Sequence, residues 1–599
     1  MSLSTQIKLF QTLQDFLTEE GKIALPSCSE AKPEYPADAP SGRALPRATP
    51  EQMGVDSHLL ECFCRELSEA PDANAHSLLI LRNDHVICEG DFSPYHKDIW
   101  HVCHSLSKSF IGTAAGIAVS EGLFHIDDPV VDYFPGSVGL LSRHRLKKLT
   151  IRHLLNMTSG ISFNELSELV ESDWLRGIFS SSLSHEPGTH FEYNSMNSYL
   201  LSALVSKTSG EPILEYLRPR LFEPLEFGPI AWEKCPSGVE KGGWGIYAKA
   251  EDLAKLGQLY LNLGHWTVGG QDCSILPERW VREATCPQAG DDREDYGYQM
   301  WVDRETGYPV MNGMFGQYIA LIPPLKMVVV MTAGCPKLFK DTPAYHLLRK
   351  YFYSLPSLPD QLPQNPGSLA SLRRTLHALH FRRPVPKAPR LQQRKPTISR
   401  GARWNSRLPV DDQRRFELSH FLNTTWYFPS NRAGLLPVIV QVMDNQLTCG
   451  VRALRMEEAA GGFTLFWEEG DTTLSLPVGC GAAREGSITV AEETFLTSCH
   501  AEIKNNEDDE AILCIKVCLL EHSSFRVLKL KRVGENLHLR LEEHPQISAA
   551  LEMAMRRKGD GLAELGSGGA SFGGFVRSNE LLHYRITQFF SPEITGKPT

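Results

Sequence analysis

Trp100–Phe124 reads WHVCHSLSKSFIGTAAGIAVSEGLF, and the phase of its apolar residues decides what the segment is. After Lys108, the residues Phe110, Ile111, Ala114, Ala115, Ile117 and Ala118 recur at helical spacing, so Ser105-Leu106-Ser107-Lys108 falls at the opening turn of a buried helix. Ser105 and Lys108 then share one face, with Cβ atoms about 5–6 Å apart, close enough for the amine to take the hydroxyl proton. The helix dipole favours an oxyanion forming beside Ser105. A lysine near its reference pKa of about 10.4 is a poor base, so burial has to bring it down. Gly112, Ala114, Ala115 and Gly116 leave room for a second helix to come close and strip water from the amine.

Working outward, ATPEQMGVDSHLLECFCREL (48–67) offers helix-start residues followed by Leu59, Leu60, Phe63 and Leu67 on one face. HSLLILRNDHVICEGDF (76–92) reads as a hairpin with Asn83 and Asp84 at its turn. From Ser105 to about Gly210 the pattern is helical, and MVVVM (327–331), after Pro323 and Pro324, reads as a buried strand. Strands, then helices, then strands again predict an α+β domain: an antiparallel sheet with helices packed on it and an all-helical insertion. EPGTHFEYNSMNSYLLSALVSKTSG (186–210) places Tyr193 just before a helix whose apolar face runs Leu200, Leu201, Leu204, Val205. YPVMNGMFGQYIALIPPLKMVVVMT (308–332) places Gly313 and Gly316 in a strand-like segment, where glycine marks close approach of a ligand.

These segments together, including GLFHIDDPVVDYFP, LTIRHLLNMTSGI, GGWGIYAKAEDLAKLGQLYL and YGYQMW in that order, resemble the serine β-lactamase and penicillin-binding-protein superfamily. The likeness runs over residues 47–355 and is narrowest to class C-like esterases and 6-aminohexanoate-dimer hydrolases. It implies Ser105 as acylated nucleophile, Lys108 as its base and Tyr193, first residue of a Y-x-N element, as proton relay. It aligns Met311-Asn312-Gly313 with the family's third motif, so that the Met314 amide would join that of Ser105 as an oxyanion hole, with Gly313, Asn312, Gly316 and Ser195 in support. Two departures stand out. Ser195 occupies the asparagine position of Y-x-N, and Met311 replaces a cationic or imidazole residue that holds a substrate carboxylate in relatives. The expected reaction is therefore hydrolysis of esters or amides through an acyl-enzyme, with no cofactor and no metal. The alternatives are a D-alanyl carboxypeptidase or β-lactamase, and a catalytically silent ligand-binding protein of the same fold.

Lys207-Thr208-Ser209-Gly210 repeats the letters of that third motif but ends the Tyr193 helix, where glycine serves as a C-cap. His101 and His104 flank Cys103 without a carboxylate third ligand and read as structural. Trp174, Trp244, Tyr247, Tyr298 and Trp301 divide evenly between core and acyl pocket.

The chain of 599 residues is too long for one core. Four regions are expected: residues 1–49, an N-terminal helix (Ile7, Phe10, Leu13, Leu17) and extended arm; 50–355, the hydrolase-like domain; 356–410, a proline-rich linker; and 411–599, a β domain. Between Phe381 and Val410 nine Lys or Arg occur with no acidic residue, read as a solvated connector rather than a docking patch. VIVQVMDNQLTC, FTLFWEE, ILCIKVCLLE, FRVLKLKRV and LHLRLEE alternate with period two, predicting an all-β lipocalin-like barrel or sandwich. Residues 556–578 are glycine-rich and read as a loop.

A formal charge of −10 and the lack of any zinc-finger or helix-turn-helix spacing exclude a nucleic-acid reading. Apolar residues at 42% and charged residues at 22% match a globular protein, and no stretch is long enough to span a bilayer. Fourteen unpatterned cysteines suit a reducing compartment, so the expected location is cytoplasmic. The expected partner is a small ester or amide substrate, with self-association through the β domain.

Overall fold

The computed structural model describes residues 31–168, 171–290, 295–337, 342–355, 357–380, 418–443, 448–505, 510–545 and 591–599. The N-terminal helix, the basic segment after Phe381 and the glycine-rich stretch fall outside these residues.

The first helix, α1 (Ser57–Glu69), is capped by Asp56, whose side chain accepts from His58 N, and buries Leu60, Phe63, Cys64 and Leu67. Strands β1 (Ala75–Arg82) and β2 (His85–Asp91) follow. Their two-residue turn has φ of 49° at Asn83 and 64° at Asp84, the doubly left-handed turn that matches strand twist and that Asn and Asp tolerate. The expected hairpin is thus observed. The sheet is completed by β3 (Ala289–Gly290), β4 (Asp295–Tyr296), β5 (Trp301–Val302), β6 (Pro309–Gly313), β7 (Gln317–Ile322) and β8 (Met327–Ala333), in the spatial order β2-β1-β8-β7-β6-β5-β4-β3. All its pairings are antiparallel, as expected.

Both faces of this sheet are covered, which explains why β8 reads as an unbroken apolar run instead of alternating. Val328 and Val330 join Leu79, Leu81, Ile319 and Leu321 in one core, shared with α2 (Ser107–Ser120), α3 (Ser195–Ser209) and α4 (Ala250–Leu261). Met327, Val329 and Met331 join Leu78 and Ile80 in another, under α1. Gly257 lets α4 lie flat on the sheet: a Cβ there would meet Ile319 Cγ2 at 2.6 Å and Val328 Cγ1 at 2.7 Å.

Part of the stretch expected as linker is a helix, α5 (Pro366–His380), which closes this second core with Leu372 and Leu379 and contacts α1 and β2. Leu369, Leu372, Leu376 and Leu379 carry its helical spacing, which the recurring prolines on either side mask.

The C-terminal β domain takes the barrel form of the two expected. Its strands are β9 (Thr425–Tyr427), β10 (Val451–Ala459), β11 (Gly462–Glu469), β12 (Thr472–Gly479), β13 (Arg484–Val490), β14 (Glu493–Asn505), β15 (Ala511–Leu519), β16 (Phe525–Val533), β17 (Asn536–His544) and β18 (Glu593–Pro598). Nine of them close in the order β12-β11-β10-β9-β18-β17-β16-β15-β14, sealed where Gly479 pairs with His500, and β13 lies along β14. Alternation fills the interior: Phe463, Leu465 and Trp467 of β11 point in with Trp426 and Phe495. The barrel is a packed core rather than an open cup. The arm reaches it too, since Lys32 N donates to Glu493 Oε1 at 2.7 Å and Lys32 Nζ pairs with Glu521 at 3.1 Å, both side chains of that pair being buried.

Candidate active site

Ser105 lies in a tight turn, His104–Leu106, that runs straight into α2. The turn is tied down from within, because Ser107 Oγ donates to His104 O at 2.6 Å and accepts from Ile246 N at 3.2 Å. Lys108 follows one turn later, 1% exposed. Its Nζ stands 3.1 Å from Ser105 Oγ, 2.9 Å from Ser195 Oγ and 2.7 Å from Gly243 O. The Ser105 side of this cluster is half-buried, while the amine is enclosed.

Tyr193 and Ser195 arrive on the start of α3. Asn194 caps that helix, its Oδ1 accepting from Met196 N at 2.9 Å while its Nδ2 donates to Ile161 O and Phe163 O. This fixes the two flanking side chains. The Lys108 Nζ sits 4.8 Å from the centre of the Tyr193 ring, and that ring stacks on Trp301 with centroids 5.0 Å apart. Three of the expected catalytic side chains and Ser195 therefore meet at one point.

The third-motif residues divide. Gly313 ends β6 against the nucleophile turn, where a Cβ would stand 2.3 Å from Cys103 O. Met311 is fully buried in the core on the helical side. Asn312 is buried with neither amide atom hydrogen-bonded among the described residues. Met314 is half-buried beyond the strand end. Gly316 is a correction: it is not within a strand but in the β6–β7 turn, with φ 92°, and its Cα faces Ala333 and Cys335. Its left-handed backbone is one that glycine adopts without strain.

Of the aromatic residues left open, Trp301 lines the Tyr193 ring, while Trp174 packs on Trp244 and Tyr199, Tyr247 on Trp100, and Tyr298 on Trp280 as core. Lys207-Thr208-Ser209-Gly210 is a helix end, with Gly210 at φ 78° and its N–H on Ser206 O. His101 donates from Nδ1 to Val102 O at 2.8 Å and accepts from His76 at Nε2 across 3.0 Å. Burial pushes the His101 imidazole down to about 4, and burial with the nearby His101 pushes His104 down to about 3.

Two supporting residues have no local signature. Gly243 supplies a carbonyl to Lys108 and has a Cβ position 2.7 Å from Ser195 Cβ, so only glycine brings that carbonyl in. Gln299, at φ 58°, is a hub: its O accepts from Ser109 of α2, its Oε1 from Ser198 of α3, and its Nε2 donates to Leu154 O.

Residues 65–349 match the sequence profile of the Beta-lactamase family. This part of the chain belongs to the beta-lactamase family. Among relatives of the beta-lactamase domain, a 6-aminohexanoate-dimer hydrolase of Paenarthrobacter ureafaciens is 25% identical over 372 residues, covering 55% of this chain and 92% of that protein. A beta-lactamase of Escherichia coli is 25% identical over 292 residues, covering 38% and 74%. Among solved structures, a putative 6-aminohexanoate-dimer hydrolase from Bacillus anthracis aligns with a TM-score of 0.43 at 18% identity, covering 57% of this chain and 92% of its own. The profile match and the curated 6-aminohexanoate-dimer hydrolase and beta-lactamase support a hydrolase of that family for residues 65–349. No helix among the described residues is long and apolar enough to cross a membrane.

Proposed function

We propose that the chain is a serine hydrolase that attacks esters or amides with Ser105 and releases the acyl group to water. The observation that carries this reading is the buried Lys108 amine, held between Ser105 Oγ and Ser195 Oγ at 3.1 and 2.9 Å under the Tyr193 ring. Lys108 takes the Ser105 proton as the Ser105 oxygen bonds to the substrate carbonyl carbon. Tyr193 passes a proton to the leaving alkoxide or amine, and the same groups then activate water against the acyl-enzyme. The amides of Ser105 and Met314 stabilise the carbonyl oxygen as it becomes negative.

Met311 favours neutral substrates. Relatives are expected to carry a cation where this chain has a thioether sealed in the core, so a substrate carboxylate has no partner from that position. A relative named for hydrolysis of a 6-aminohexanoate dimer agrees with an amide substrate.

The test is labelling with a fluorophosphonate probe, which reacts with an activated serine. Wild type is expected to label and Ser105→Ala to stay blank; equal labelling of the two would overturn the assignment. An ester, amide and lactam panel assayed on both proteins separates the substrate classes.

A further inference from the structure

Two residues that flank the reaction centre have backbone conformations that bulky side chains avoid. His104, immediately before Ser105, has φ 47°, and Phe315, immediately after Met314, has φ 64°. A non-glycine residue in this region needs an environment that over-determines it. For Phe315 that environment is the barrel core, and for His104 it combines Ser107 of its own turn with Phe315 and the barrel residue Ser523.

Phe315 is fully buried, and its side chain belongs to the apolar core of the barrel, with Met314 packed against the same core, and not to either core of its own domain. The β6–β7 hairpin thus ends as a plug in the C-terminal domain. His104 meets the Phe315 ring edge-on at 5.3 Å. On its other contact, His104 Nε2 lies 3.0 Å from the hydroxyl of Ser523, in the β15–β16 loop. Gln317 Nε2 stands 3.1 Å from that same hydroxyl and 3.1 Å from Met314 O, while its Oε1 accepts from Ala333 N. Gln317 Nε2 also donates to Ala333 O at 2.7 Å, and the Ser523 hydroxyl lies within hydrogen-bonding distance of both Gln317 Nε2 and His104 Nε2. One barrel hydroxyl therefore joins the residue before the nucleophile to the hairpin that carries Met314.

The backbone repeats the connection. Val102 N donates to Glu521 O at 2.8 Å, and Gly334 lies so near the loop that a Cβ would meet Ser523 O at 2.2 Å.

Resting on the proposed serine hydrolase reading, we infer that the barrel is a positioning element of the active site, in which Ser523 and Phe315 hold the turn before Ser105 and the Met314 hairpin at their working separation. Neither residue touches the reacting atoms. Their effect is expected in the chemical step and not in substrate affinity.

The experiment uses the full-length chain and compares wild type, Ser105→Ala, Ser523→Ala, Phe315→Ala and Phe315→Leu, each checked by thermal melting. It reads steady-state hydrolysis of a chromogenic short-chain ester and the second-order rate of fluorophosphonate labelling. Ser523→Ala and Phe315→Ala are expected to lower kcat and the labelling rate by about 10-fold or more with KM changed less than about 3-fold, since small displacements at a reaction centre are costly. Phe315→Leu should recover most of the loss by refilling the barrel core. If both alanine variants melt as folded proteins and keep kcat within about 2-fold of wild type, the inference is overturned. Should Phe315→Ala fail to fold, Ser523→Ala, which removes one hydroxyl, decides by the same criterion. Loss of activity in the barrel variants alongside full activity in Ser105→Ala would overturn the hydrolase reading, and this inference with it.

Discussion

Lys108 Nζ donates to Ser195 Oγ across 2.9 Å, although the two residues stand 87 positions apart in the chain. Ser195 is one of three oxygens around the amine, so its loss leaves Ser105 and Gly243 in place. Ser195→Ala is therefore expected to slow acylation about 10-fold, about the value of one ordinary hydrogen bond. Lys108→Ala removes the base and is expected to cost about 10²- to 10⁴-fold. Single-turnover ester hydrolysis measures both; equal losses would show that Ser195 acts as more than one of three holders.

Gly313 meets the nucleophile turn backbone to backbone. A methyl group there would sit 2.3 Å from Cys103 O, and a carbonyl cannot swing aside as a flexible side chain does. Gly313→Ala is expected to push β6 away from the Ser105 turn and reduce kcat/KM about 100-fold. Ester kinetics alongside a melting curve test this, and unchanged kinetics would mean that the strand end is not part of the site.

Glu521 collects donors from three parts of the chain: Lys32 Nζ at 3.1 Å, Trp100 Nε1 at 2.6 Å and Leu496 N at 3.1 Å. Glu521→Ala leaves a buried ammonium without its counter-charge, held by Pro33 O at 2.9 Å, and removes the acceptor of two N–H groups, a loss of about 3–5 kcal/mol. The double variant Lys32→Met with Glu521→Leu removes the charge as well and is expected to recover much of that. Urea denaturation at neutral pH gives both values, and a single variant within about 1 kcal/mol of wild type would contradict the burial of this pair.

Acid should weaken the junction between the two domains. Burial holds His101 near 4 and His104 near 3. It also holds His76 and His522 well below the ordinary value, helped by His101 with Lys516 in the first case and by Lys32, His101 and His104 in the second. The unfolded chain takes up these protons below about pH 6.5 and the folded chain does not, so stability present above that value falls with decreasing pH. Each histidine contributes about 1.4 kcal/mol of loss by one pH unit below 6.5. Glu493 works in the opposite sense. Burial, with Glu233 adding to it, raises it to about 7, so its contribution is complete below the ordinary carboxylate range and is lost as pH rises through 7. Four histidines outweigh one carboxyl, and urea midpoints are expected to drop between pH 7 and pH 5.5. In Glu493→Gln the drop should be steeper, because the opposing contribution is gone. A flat profile over that interval would show that the histidines are hydrated.

What could be read before folding was whatever lies within a few residues. The Asn83-Asp84 hairpin, the capped α1 face, the placing of Ser105 and Lys108 on one helical turn, and most of the period-two strands of the C-terminal domain follow from local backbone geometry and apolar phase. The exception is VIVQVM, read as a strand, which forms a helix over Val438–Met443 because a short apolar run has no period that separates the two. The helix α5 escaped because flanking prolines hide a leucine spacing that becomes decisive only against the core it covers. Gly316 was misplaced for a related reason: a glycine in a turn and one in a strand leave the same mark in a chain.

The order of elements along the sequence determined an antiparallel sheet with helices on it, a β domain behind it, and a serine and lysine one turn apart. Only the tertiary structure decided that a carbonyl from Gly243, 135 residues away, would close around the lysine, and that a hydroxyl 419 residues from His104 would reach the nucleophile turn. Helical and strand periods are written in neighbouring residues, whereas those contacts depend on how two finished cores pack against each other.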